Sequence, residues 1–118
     1  MHRRVLFLFA MSLMIGTYAY AQKAEAHEFA TIRSMHSPKI CDSYLALYAK
    51  LRKEPELQGY VFLYGRRATI RLERRTLARC VTSRDYDPPR ITLVEAPPKP
   101  KIFIVMWILP PGADKPLP

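Results

Sequence analysis

Two cysteines, a cluster of arginines and a pair of aspartates are the side chains with which this 118-residue chain has the means to do chemistry. Cys41 and Cys80 are its only cysteines. A cysteine nucleophile needs an activating histidine within reach. His27 and His36 precede both cysteines, in a stretch with no regular pattern, and there is no Cys-x-x-Cys to suggest metal-ligand spacing. Asp85 and Asp87 form a carboxylate pair, but they sit in a proline-flanked turn between Arg84 and Arg90, where local ion pairing is the expected role. Gly-x-Ser-x-Gly, His-Glu-x-x-His and a phosphate-cradling glycine loop are all missing. The sequence therefore reads as that of a protein that is not an enzyme, with no metal and no cofactor.

The arginines are the stronger signal. Residues 66–84 hold seven of them (Arg66, Arg67, Arg71, Arg74, Arg75, Arg79 and Arg84) against one acid, Glu73. One reading is a solvated helix face, since arginine is a good helix former. The other is a binding surface, because unpaired guanidinium groups repel one another and suit phosphates and carboxylates. The expected binding residues are Arg66, Arg67, Arg71, Arg74, Arg75 and Arg79. A pI near 9.9 would also suit nucleic acid, but the chain's N-terminus points to export, which removes it from most nucleic acid.

That N-terminus reads Met1-His2-Arg3-Arg4, then an apolar run from Val5 to Ile15, then small residues at Ala19 and Ala21. A basic start, a short apolar run and a small-x-small site describe a secretory signal over 1–21. The alternative, a retained anchor helix, needs about 20 apolar residues to cross a bilayer, more than this run supplies. Taking 21 residues from 118 leaves 97, and taking two from the 19 basic residues leaves 17 against 10 acids, a net charge of +7. The expected location is periplasmic or secreted, with no transmembrane span after cleavage. In an oxidising compartment an even cysteine count reads as one disulfide, Cys41 to Cys80. Two free buried thiols are the alternative.

These residues must be placed by elements that the remaining pattern sets out. Residues 22–38 form a lead-in whose Glu28–Arg33 alternates as a half-buried strand. A small α/β domain follows over 39–110. Ile40, Tyr44, Leu47, Tyr48 and Leu51 recur at helical spacing, and Pro55 stops that helix. Gly59–Gly65 is an apolar aromatic run with the look of a central strand buried on both faces; that burial explains Tyr60, Phe62 and Tyr64 better than base-stacking does. Arg66–Arg84 keeps an apolar stripe at Ile70, Leu77 and Val81, with weaker support from Ala78 and Cys80. Strands are expected at Ile91–Val94 and Lys101–Leu109, and a mobile proline-rich tail at 111–118. The order β-α-β-α-β-β gives a two-layer α/β sandwich with both helices on one face of a mixed sheet. Parallel helices packed side by side would not obviously bring Cys41, early in one, to Cys80, late in the other.

Three stretches carry a resemblance: Pro55 to Gly65, Val81 to Ile91 with its Asp87-Pro88-Pro89-Arg90-Ile91 turn, and Trp107 to Ala113. Together with the arginine-rich helix they resemble a group of small exported bacterial proteins of unassigned function. That group is similar in layout to the outer membrane protein A-like, peptidoglycan-associating C-terminal domain. The likeness spans about residues 40 to 113. It implies an α/β fold and an envelope location. The family's aspartate and arginine clamp for diaminopimelate does not carry over: no acid stands between Tyr64 and Arg67, and the arginine position falls at Leu72, beside Arg71 but out of register. The expected function is non-catalytic binding of an anionic envelope polymer or lipid through the arginine helix. The alternative is an assembly module that pairs through an apolar edge strand, Ile102 to Leu109.

Overall fold

Pro38 and Pro55 bracket the first helix, α1 (Lys39–Lys53), and its buried residues are Ile40, Tyr44, Leu47, Tyr48 and Leu51, the stripe that the spacing requires. Asp42 lies in its first turn and Lys50, Arg52 and Lys53 in its last, so charge complements the helix dipole at both ends. The computed structural model describes residues 24–65, 67–82 and 87–118; the signal read at 1–21, Arg66 and the turn residues Ser83 to Tyr86 lie outside them.

The remaining elements are β1 (His27–Ile32), β2 (Gln58–Tyr64), α2 (Arg67–Val81), a short 3₁₀ turn (Pro88–Arg90), β3 (Ile91–Ala96) and β4 (Ile104–Leu109). The strands form one sheet in the order β1-β4-β2-β3. β2 and β3 are parallel, with Gly59 opposite Ile91 and Leu63 opposite Glu95. β4 runs antiparallel to β2 on one side and to β1 on the other. The result is the mixed-sheet, two-layer sandwich that the element order implies.

Two expectations are corrected by this order. First, the apolar C-terminal strand is an inner strand with neighbours on both sides, so it has no free edge for pairing with another chain. Its apolar character follows from being buried rather than from waiting for a partner. Second, β4 begins at Ile104 and not at Lys101. Lys101 takes a left-handed backbone (φ 62°), and Lys99 pairs with Ile102 across a tight turn, which delays the ladder. The sheet also takes in the strand of the lead-in, because β1 is one of its two edges.

Strand alternation divides the side chains between two faces. Val61, Leu63, Ile91, Ile104 and Met106 join both helices in the main core. Phe62, Tyr64, Ala96 and Val105 pack on the opposite face, with Tyr60, Val94, Ile102 and Trp107 around them. β2 is thus buried on both sides, as its sequence suggests, although Tyr60 is only half-buried. On the core side Gly59 admits α1 closely: a Cβ there would lie 3.2 Å from Leu51 and 3.3 Å from Ile91.

The Cys41–Cys80 disulfide is formed, with Cα atoms 5.5 Å apart. It joins the first turn of α1 to the last turn of α2. Further along α1, Tyr44 meets Glu73, which lies nearly two turns back along α2. The start of α1 therefore lies against the end of α2, an approach that a parallel, side-by-side packing would not obviously give.

Candidate functional site

A helix that must bury one side and present arginines on the other needs its inward positions at every third or fourth residue. In α2 these are Glu73, Leu77 and Val81, which are buried, with Ile70 and Cys80 half-buried beside them. Arg71, Arg74, Arg75 and Arg79 occupy the intervening positions and all are exposed. Arg67 starts the helix, but its side chain, like the whole of Arg66, is outside the described residues. Ala78 is exposed and does not belong to the inward stripe.

Glu73 is the residue that the sequence reading passed over. It counts as the arginine helix's only acid, yet it is 3% exposed, the one buried charged side chain among the described residues. Its position three residues after Ile70 and four before Leu77 fills the gap in the stripe, so the register alone would have found it. The Tyr44 hydroxyl donates to Glu73 Oε2 at 2.9 Å, in the buried seam between the helices. Burial pushes the Glu73 carboxyl above its ordinary range, and the Tyr44 hydrogen bond pulls part of the way back.

The inward turn of Glu73 has an electrostatic result. Among the described residues no ion pair engages Arg71, Arg74, Arg75 or Arg79. The outer surface of α2 therefore carries positive charge with no acid on its own helix to offset it. Beside it, between α2 and the edge strand β3, lies a shallow concavity of about 370 Å³ lined by Ile70, Arg71, Arg74 and Glu95.

Arg90 behaves differently from expectation. Its guanidinium donates to four main-chain carbonyls at the end of α1: Leu51 (2.6 Å), Glu54 (3.3 Å), Pro55 (3.2 Å) and Leu57 (2.6 Å). The last carbonyls of a helix have no partners within it, and a planar five-donor fork can serve several at once. Arg90 is structural. Arg84 and Asp85 lie outside the described residues.

On the far side of the sheet, Tyr60 and Phe62 meet edge to face at 5.3 Å, and Lys99 lies over the Tyr64 ring at 5.1 Å. Burial raises the Tyr64 phenol's pKa, with the Glu28 charge acting in the same direction. Among the described residues no group of three or more histidine, cysteine, aspartate or glutamate side chains is placed to hold a metal, and no helix is long and apolar enough to cross a membrane. The chain matches no family model, no curated protein and no solved structure.

Proposed function

We propose that this protein is an exported, non-catalytic component of the cell envelope that binds an anionic polymer or lipid surface through α2. The observation that carries the reading is the charge of Arg71, Arg74, Arg75 and Arg79, exposed on one helix whose single acid is turned into the core. A guanidinium fork matches phosphate and carboxylate oxygens in pairs. Near an anionic surface each such residue contributes about 1 kcal/mol, an effect that salt weakens. The Cys41–Cys80 bridge supports an oxidising compartment. The basic, apolar and small-x-small start of the chain supports export, and the resemblance to the outer membrane protein A-like domain supports an envelope setting.

The test is co-sedimentation of the protein with purified cell wall and with phosphatidylglycerol vesicles, against phosphatidylcholine vesicles as the neutral control. Binding to at least one anionic material should be salt-sensitive and fall about tenfold or more when Arg71, Arg74, Arg75 and Arg79 all become glutamine. Failure to bind either anionic material, or binding that ignores the fourfold substitution, overturns the proposal.

A further inference from the structure

Glu95 occupies a register position that should be apolar. It lies opposite Leu63 in the parallel ladder, so its side chain leaves the sheet on the side covered by the helices, as those of Ile91 and Leu93 do. Ile91 is buried and Leu93 half-buried in the core, but at Glu95 the core side of the edge strand opens to solvent. What stands there is the concavity of about 370 Å³, with Ile70 supplying an apolar wall and Arg71 and Arg74 the cationic one. Among the described residues neither guanidinium is paired with Glu95 or with any other acid. Two cations and one anion thus line one cleft without forming an ion pair among the described residues.

From this we infer that the cleft between α2 and β3 is a binding site for a small zwitterion with an apolar body, an apolar α-amino acid. The ligand's carboxylate lies against Arg71 and Arg74, where a fork geometry suits it. Its ammonium faces Glu95, and its side chain covers Ile70 and the methylene stems of the arginines. A polyanion makes no use of Glu95, whose charge repels it. This is where the inference goes beyond the anionic surface proposed above. It shares Arg71 and Arg74 with that surface but does not rest on it.

The experiment is calorimetric titration of the full chain with L-leucine, leucinamide and N-acetyl-leucine. Leucine should bind saturably, and removing either charge from it should weaken binding at least tenfold. Glu95→Gln should weaken leucine binding at least tenfold while leaving phosphatidylglycerol vesicle binding unchanged or stronger. No saturable leucine binding, equal binding of the three compounds, or leucine binding indifferent to Glu95→Gln overturns the inference. Loss of leucine binding with vesicle binding intact sinks only the cleft. Leucine binding that persists without any binding to anionic material sinks only the surface proposed for α2.

Discussion

At the scale of single residues, Glu73 and Arg90 show how far side-chain type is from side-chain role. Each was legible as a charge in the sequence, but each serves the interior. For Glu73 the periodicity held the answer, since it lies in the stripe of Ile70 and Leu77; its type obscured it. For Arg90 nothing local pointed to the end of α1, because its four carbonyl partners are more than thirty residues away. Glu73 gives a pH prediction. Its carboxyl has a raised pKa in the folded protein, so the folded state holds that proton more tightly than the unfolded chain does. This contribution favours folding below the ordinary carboxyl range and is lost as pH rises through the raised value. Denaturant midpoints measured across pH should therefore show the wild type losing stability relative to Glu73→Gln as pH rises through that window. Tyr44→Phe, which removes the hydroxyl that donates to Glu73, should cost about 1–3 kcal/mol at neutral pH, read from the same unfolding curves.

Elements are where the sequence was most informative. All five residues of the α1 stripe are buried as spaced, and the parallel pairing of β2 with β3 follows from a helix joining them. The strand at the C-terminus was recognised by its apolar run, but a run of that kind does not say which strands lie beside it. That depends on pairings distant in sequence. Two contacts secure α1 against the sheet. Gly59→Ala should cost about 1–3 kcal/mol, because the added methyl presses on Leu51, Leu47 and Ile91 at a packed contact. Arg90→Ala should lower stability by about 2–3 kcal/mol through the carbonyls it leaves at the end of α1, and lysine should restore little of it for want of the planar fork. Thermal or urea unfolding of the two variants checks both values.

For the whole molecule the disulfide is the clearest case of a feature seen early but not explained until the fold was in view. The cysteine count suggested a bridge, while the geometry that allows it, the start of α1 against the end of α2, was not readable from spacing. The bridge closes a segment of 39 residues, so the chain-entropy model gives it about 3–4 kcal/mol. Reduction, or Cys41→Ser with Cys80→Ser, should lower the urea midpoint correspondingly. The arginine surface was the most legible part of the candidate site. Its companion Glu95 was not, because a carboxylate on an edge strand gains meaning only from the helix that packs beside it.

The strand order also sets a timetable. β1 has a single neighbour, and that neighbour is β4, the last strand of the chain. A polypeptide emerging N-terminus first, from a ribosome or through a translocation pore, exposes β1 long before there is anything for it to pair with. Cys41 and Cys80 are both out before β4 is, so the covalent link can form while the sheet is still incomplete. Closure waits for residues 104–109, which insert between two strands already present. A chain interrupted before Ile104 would keep its helices' sequence, its cysteines and the β2–β3 pair, but β1 would have no partner and the four-stranded sheet could not close.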